Sequence, residues 1–270
     1  MYRYIIQNEV TYKLRIIGVI PARMESSRFP GKPLAKINGV PMIGHVYYRS
    51  KMNKTLNDLY VATCNKEIEN YIQSIGGKTI MTSNTHKRAS DRVAEALIKI
   101  ENEKKRKIDI VVMIQGDEPM IHPEMIDEAV KPLIEDKNVL VSNLIAPLKN
   151  DEELNDPNTI KVVFDKNNFA LYFSREPIPY NKKISNNKYL NKQVCIIPFK
   201  RDFLIKFSKL EPTPLEEMES IDMLRVLEHG YRVKLVHTKY DTYSVDTIKD
   251  LEKVESLMKN DDLFKKYSII

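Results

Sequence analysis

Ile16-Ile17-Gly18-Val19-Ile20-Pro21-Ala22-Arg23-Met24-Glu25-Ser26-Ser27-Arg28-Phe29-Pro30-Gly31-Lys32-Pro33-Leu34 is the stretch from which the rest of the chain is read. Its opening run is apolar, largely β-branched and without helical period, and it stops at Pro21, which reads as a buried strand. Thirteen residues follow Pro21, with three cations (Arg23, Arg28, Lys32), two hydroxyls (Ser26, Ser27), one glycine and two further prolines. A long loop after a strand, with fixed kinks and clustered cations, suits a polyanion, most simply a phosphate chain. A solvated basic turn is the plainer alternative. The loop fits neither the Gly-x-x-x-x-Gly-Lys-[Ser/Thr] nor the Gly-x-Gly-x-x-Gly pattern. Pro33 directly after Lys32 leaves no immediate helix start to cradle phosphate, so the cations must carry more of the binding.

Downstream, residues 59–63 and 78–82 read as strands and 65–75 as a helix stopped by Gly76-Gly77, while Pro41 opens another helix over 41–47. This strand–helix–strand rhythm predicts a mostly parallel sheet flanked by helices, with ligands bound beyond the carboxyl ends of the strands. His86-Lys87-Arg88-Ala89-Ser90-Asp91-Arg92 precedes an amphipathic helix through Val93, Leu97 and Ile100, and Ser90 with Asp91 offers its N-cap. Residues 108–114 form an almost uninterrupted apolar strand that delivers Gln115-Gly116-Asp117-Glu118-Pro119 at its end. Carboxylates there suit Mg²⁺, a hard cation that prefers oxygen ligands. Asp117 capping the next helix, 123–133, is the alternative.

From residue 140 the pattern changes. Residues 139–146 read as a strand, and 160–165 with 169–175 as a hairpin around Asp165-Lys166-Asn167-Asn168. Lys161 and Arg175 could neutralise a substrate carboxylate, Arg bidentately. Residues 181–191 are rich in Asn and Lys and read as a loop. Pro212-Thr213-Pro214 opens a helix with Met218, Ile221, Leu224 and Leu227 as its apolar face and Glu219, Asp222 and Arg225 as its charges. Residues 231–238 read as a strand, and Asp246 stands before a last helix over 248–258, where it could serve as the N-cap.

The 270 residues suffice for one large α/β domain or two unequal parts. No apolar run is long enough to span a bilayer, so no membrane insertion is expected. The first fifteen residues lack the apolar core of a signal peptide, which argues for a cytoplasmic protein. The net charge of +6 is spread along the chain, so nucleic acid is not an expected partner. Cys64 and Cys195 share no metal-ligand spacing and read as two buried thiols.

Ile20-Pro21-Ala22-Arg23 together with Ser27-Arg28-Phe29-Pro30-Gly31-Lys32-Pro33-Leu34 resembles the signature loop of sugar-acid cytidylyltransferases. Gln115-Gly116-Asp117-Glu118-Pro119 narrows the resemblance to the branch that acts on 3-deoxy-manno-octulosonate (Kdo), and the similarity runs from about residue 16 to residue 254. The resemblance implies an α/β, Rossmann-like nucleotide-diphosphosugar-transferase fold with a mostly parallel mixed sheet flanked by helices. It implies an N-terminal extension over 1–15 and a single domain over 16–270, with a smaller β-rich acceptor and dimerisation subdomain inserted at about 142–200. The implied activity is Mg²⁺-dependent transfer of CMP from CTP to a sugar acid with release of pyrophosphate, by a homodimer serving lipopolysaccharide or capsule synthesis.

By the same resemblance Arg23, Lys32, Asp117 and Asp246 are the catalytic set, and Asp117 and Asp246 hold the metal. Pro21, Ala22, Arg23, Arg28, Lys32, Ser90, Arg92 and Asp117 contact the nucleotide, and Gln115, Lys161, Arg175, Gln193, Glu219 and Asp222 face the acceptor. Two departures stand out. Arg88-Ala89 replaces a Ser-Gly pair beside the nucleobase. Gln193-Val194-Cys195-Ile196-Ile197-Pro198-Phe199 replaces a run of the form His-x-Gly-Ile-Tyr-Gly-Tyr, so Gln193, Ile197 and Phe199 lack the imidazole and hydroxyls that lie near the sugar acid. That opens two alternatives: the same transfer to an amino-Kdo, another nonulosonate-like sugar or a phosphonate, or a non-catalytic nucleotide-binding protein.

Overall fold

The computed structural model describes residues 3–4, 12–25, 29–180 and 190–268. Ser26, Ser27 and Arg28 of the basic loop, most of the N-terminal extension and most of the Asn/Lys-rich loop lie outside the described residues.

Two five-stranded sheets share the work. The first runs in the order Ile196–Lys200, Ile110–Ile114, Ile16–Ala22, Asp58–Thr63, Lys78–Met81, with the four N-terminal strands parallel and Ile196–Lys200 antiparallel at one edge. Every residue of Ile16–Ala22 and of Ile110–Ile114 is buried, as apolar strands with helices on both sheet faces must be. The ladder continues through Pro21, which pairs with Ala62 after the neighbour on the other side has left at Val19. With only one neighbour there, a residue lacking an amide is tolerated. Helices Met42–Lys51, Lys66–Ser74, Ala89–Lys104 and Pro123–Glu135 cover the sheet and fall where the sequence places them.

The second sheet runs Ala170–Ser174, Lys161–Phe164, Asn191–Val194, Ser142–Pro147, Lys234–His237, and is antiparallel except for the last pair. Lys161–Phe164 and Ala170–Ser174 form the expected hairpin. The bounds of the expected insertion at 142–200 need correction. Asn191–Val194 pairs within the second sheet, the chain crosses over at Cys195, and Ile196–Lys200 joins the first. Lys234–His237 then adds to the second sheet from outside that span. The crossing buries Ile197 and Phe199 in the core, where Phe199 stacks on Phe207 with ring centroids 5.9 Å apart.

The helix expected after Pro212 is two short helices, Pro214–Glu219 and Asp222–Glu228, broken at Ser220, whose φ of 55° is left-handed. The break puts Met218 in solvent instead of on the apolar face, while Ile221 and Leu224 remain buried. Both cysteines are free and half-buried, not buried. Among the described residues no helix is long and apolar enough to cross a membrane.

Phe199→Ala should cost about 3–5 kcal/mol of unfolding free energy in denaturant titration, because it empties a fully buried aromatic site. A loss below about 1 kcal/mol would contradict the core placement.

Candidate active site

The basic loop is held at both described ends. Met24 N donates to Asn65 Oδ1 at 3.0 Å, and Gly31 N donates to Met24 O at 3.1 Å. Gly31 takes φ 73°, a left-handed turn that glycine adopts without steric cost, and the chain enters a short 3₁₀ turn, Lys32–Leu34. Lys32 therefore points from a fixed backbone. Its ammonium donates to Asp117 Oδ2 at 2.9 Å, to the Val245 carbonyl at 2.8 Å and to Asp246 Oδ1 at 3.3 Å. Burial alone would lower the pKa of Lys32, but the two carboxylates outweigh it and the net shift is upward.

Asp117 arrives at the end of the Ile110–Ile114 strand, which lies between the edge strand Ile196–Lys200 and the middle strand Ile16–Ala22, through Gly116. A Cβ on Gly116 would sit 3.2 Å from the Pro21 carbonyl, so glycine lets this turn lie against the first strand. The Val245 amide donates to the Asp117 carbonyl at 2.9 Å and ties the two acidic segments together. Thr247, not Asp246, caps the Ile248–Met258 helix, with Asp250 closing a capping box. Asp117 does not cap the Pro123–Glu135 helix either, since His122 is its N-cap. Both alternative capping roles are thereby removed, and the carboxylates meet at Lys32.

Two cavities flank this cluster. The larger, about 710 Å³, is lined by the expected Pro21, Ala22, Arg23, Lys32, Arg92 and Asp117, and also by His86, Lys87, Arg88 and Ala89. Arg92 is 3% exposed; one of its terminal nitrogens donates to Thr82 Oγ1, and Nη2 is buried without a hydrogen-bond partner. An orphaned guanidinium nitrogen in the wall of a cavity is suited to an anionic or carbonyl ligand. Ser90 does not line the cavity. It lies inside the first turn of the Ala89–Lys104 helix, whose N-cap is Arg88, and its Oγ donates to Asp222 Oδ2 at 2.6 Å.

The smaller cavity, about 240 Å³, is lined by Gln115, Asp117, Glu118, Arg175, Lys192, Gln193 and Asp246, among others. Gln115 and Asp117 line both cavities, so the two spaces meet at that wall. Gln193 Nε2 donates to Asn143 Oδ1, while Asn143 Nδ2 donates to the Leu144 and Val194 carbonyls. That network fixes the Gln193 amide with its nitrogen committed, leaving Oε1 to accept from a ligand. Arg175 sits at the rim, with Nε on the Glu219 carbonyl at 2.6 Å and Nη1 on the Pro157 carbonyl at 2.7 Å.

Three residues expected to face the acceptor are used otherwise. Lys161 is fully buried, its ammonium capped by the carbonyls of Asp156, Thr159 and Arg175. Glu219 accepts from Tyr172, Ser174 and the Arg175 amide. Asp222 holds Ser90 and lies in ion-pair range of Arg88. Folding spends the Lys161 charge on backbone carbonyls, and those of Glu219 and Asp222 largely on neighbouring hydroxyls. Ile197 and Phe199, being in the core, do not reach the acceptor cavity, so of the three altered positions only Gln193 does. Glu118, which the sequence offers with Asp117 as a carboxylate for Mg²⁺, lines this cavity as well; Lys192 was not expected as a site residue, and nothing in its sequence surroundings sets it apart.

Asp117 and Asp246 fit a hard divalent cation. Both offer an oxygen within 3.3 Å of one ammonium. Among the described residues no three His, Cys, Asp or Glu cluster as a metal cage. A site with two protein carboxylates and the remaining positions left to phosphate and water is the arrangement Mg²⁺ favours.

The sequence matches the family described as Cytidylyltransferase over residues 17–266. It is 43% identical over 250 residues to the 3-deoxy-manno-octulosonate cytidylyltransferase of Fusobacterium nucleatum subsp. nucleatum, covering 93% of this chain and 99% of that protein. It is 42% identical to the mitochondrial 3-deoxy-manno-octulosonate cytidylyltransferase of Arabidopsis thaliana, covering 92% and 84% of the two chains. A solved structure of CMP:2-keto-3-deoxy-manno-octonic acid synthetase complexed with CTP superposes with a TM-score of 0.80 at 37% identity, over 91% of this chain and 98% of that one. The chain belongs to the cytidylyltransferase family, in its 3-deoxy-manno-octulosonate branch, and is a nucleotidyltransferase enzyme. The non-catalytic alternative falls with that assignment.

Burial, with the Asp117 charge adding to it, pushes the Glu118 carboxyl up to about 8 from the ordinary 4.5, against the pull of Lys192. The folded chain thus holds this proton more tightly than the unfolded one, and stability attributable to Glu118 is lost as pH rises from about 4.5 through about 8. Glu118→Gln cannot ionise. Its melting temperature in metal-free buffer should gain on the parent's as pH rises from about 5 to about 8. A constant difference across that range would contradict the assignment.

Proposed function

We propose that the enzyme transfers CMP from CTP to 3-deoxy-manno-octulosonate, with Mg²⁺ at Asp117 and Asp246, releasing pyrophosphate. The observation that carries this reading is the Asp117–Lys32–Asp246 cluster on the wall where the two cavities meet. CTP takes the larger cavity, its phosphates toward Arg23 and Lys32, and Arg92 Nη2 donates to the nucleotide. The sugar acid takes the smaller one, with its carboxylate at the Arg175 end and a hydroxyl accepted by Gln193 Oε1. Gln115, on the shared wall, orients the acceptor hydroxyl toward the α-phosphorus.

The oxygen–phosphorus bond to pyrophosphate breaks as the acceptor hydroxyl's oxygen bonds to phosphorus, the hydroxyl proton passes to solvent, and negative charge moves onto the pyrophosphate. Lys32, on the wall of the larger cavity, is placed to donate to a phosphate oxygen and stabilise that charge. Mg²⁺ held by Asp117 and Asp246 would offset negative charge on the phosphate oxygens. The CTP named in the bound state of the solved synthetase and the names of the relatives support this choice of nucleotide and acceptor. Gln193 supports a second reading, the same transfer to an amino-substituted Kdo, because Oε1 can accept equally from an amine.

A homodimer and a cytoplasmic location complete the proposal. Ala170–Ser174 is an edge strand of the second sheet with Leu171 62% exposed, and Met218, on the adjoining helix, is 81% exposed. An open strand edge beside exposed apolar side chains is suited to pairing with a second copy.

Pyrophosphate release from CTP, Mg²⁺ and Kdo should be readily measurable, and Asp117→Asn and Asp246→Asn should each lower kcat by at least about 100-fold. Chelation should abolish release. Turnover retained in either variant would contradict the two-carboxylate site, and release with amino-Kdo alone would favour the second reading.

A further inference from the structure

The two cavities are also joined away from the reacting groups. Arg88, the N-cap of the Ala89–Lys104 helix, lines the larger cavity. Its guanidinium leaves the helix end and crosses to the break between the Pro214–Glu219 and Asp222–Glu228 helices. Nη1 donates to Ser220 Oγ at 2.7 Å, Nη2 to the Glu216 carbonyl at 3.2 Å, and Nε lies 3.3 Å from Glu216 Oε1. Glu216 is fully buried and bonded by Arg225 through two contacts of 2.6 Å, so the far anchor is rigid.

Ser220 belongs to the other cavity. It lines the acceptor space, and the carbonyls of Glu219 and Ser220 accept from Arg175 at 2.6 and 3.5 Å. A left-handed, non-glycine residue at a helix break is held by its surroundings more than by its own preference. Here Arg88 bonds its side chain from the nucleotide side, and Arg175 bonds its carbonyl from the acceptor side.

We propose that Arg88 is a positioning residue that couples the two subsites: nucleotide in the larger cavity fixes Arg88, Arg88 fixes the Ser220 corner, and the corner sets Arg175 for the acceptor carboxylate. The proposal rests on the functional reading above for what fills each cavity. It makes the coupling reciprocal, so acceptor tightens nucleotide binding by the same factor as nucleotide tightens acceptor. It also gives Arg88 a function beyond local charge pairing, since Glu216 already has Arg225.

The test is calorimetric titration of Kdo, in Mg²⁺, into the full chain with and without the unreactive α,β-methylene analogue of CTP. In the parent protein the analogue should tighten Kdo by about 5- to 50-fold. Arg88→Ser and Ser220→Ala should each lower that ratio about fivefold or more, and the double variant should lower it no further than Arg88→Ser. Arg88→Lys, which keeps charge and a donor, should recover part of it. An unchanged ratio in Arg88→Ser, or additive losses in the double variant, would overturn the coupling. A lower melting temperature with the ratio intact would do the same, since it would make Arg88 structural only. Kdo turnover by the parent in the same preparation tests the functional reading separately, and its absence would remove that reading and the coupling with it.

Discussion

The Lys32 ammonium between Asp117 and Asp246 is the contact on which the rest of the structure depends. It gathers three segments far apart in sequence, one from the loop after Ile16–Ala22, one from the end of Ile110–Ile114 and one from the turn before the Ile248–Met258 helix. Two carboxylates and one ammonium leave the cluster with an excess negative charge, and burial of Glu118 as a neutral acid keeps that excess from growing. Across the larger cavity Arg23, Lys87, Arg88 and Arg92 supply the opposite charge. A divalent cation held by the two carboxylates would offset that excess.

The two sheets divide the substrates. The parallel sheet delivers its loops to one edge, where the basic loop and the 115–119 turn form the nucleotide side, as open α/β sheets do. The antiparallel sheet supplies Gln193 and Arg175 on the acceptor side. Cys195 marks the switch between the sheets, so strand pairing in one sheet fixes the position of the site wall in the other. Pairing register on both sides of a single residue holds the two cavities at a set distance, and in-line transfer requires that.

Much of this was legible in the sequence because it depends on local signals. The buried strands are continuous apolar runs, the helices of the first half carry caps, stops and apolar periodicity, and the motifs at 20–34 and 115–119 name their own chemistry. That Asp117 and Asp246 come together was an implication of the resemblance, and the structure brings the two carboxylates together at Lys32. What escaped depends on long-range competition for charge. Lys161, Glu219 and Asp222 look like substrate contacts because they are charged and lie in the right segments, yet folding assigns Lys161 to three carbonyls, Glu219 to a strand end and Asp222 to Ser90. The break at Ser220 escaped because neither glycine nor proline marks it; Arg88 and Arg175, distant in sequence, bond it in place. Ile197 and Phe199 looked like specificity changes, but the sheet switch turns them into the core.

The most direct measurement is a crystal structure with CTP and Mn²⁺ at a wavelength that reports the metal's anomalous signal. The account predicts a peak within about 2.5 Å of both Asp117 and Asp246, shared with phosphate oxygens, with the Lys32 ammonium moved onto the phosphates. A peak away from those carboxylates, or Lys32 still lying between them with CTP bound, would contradict it.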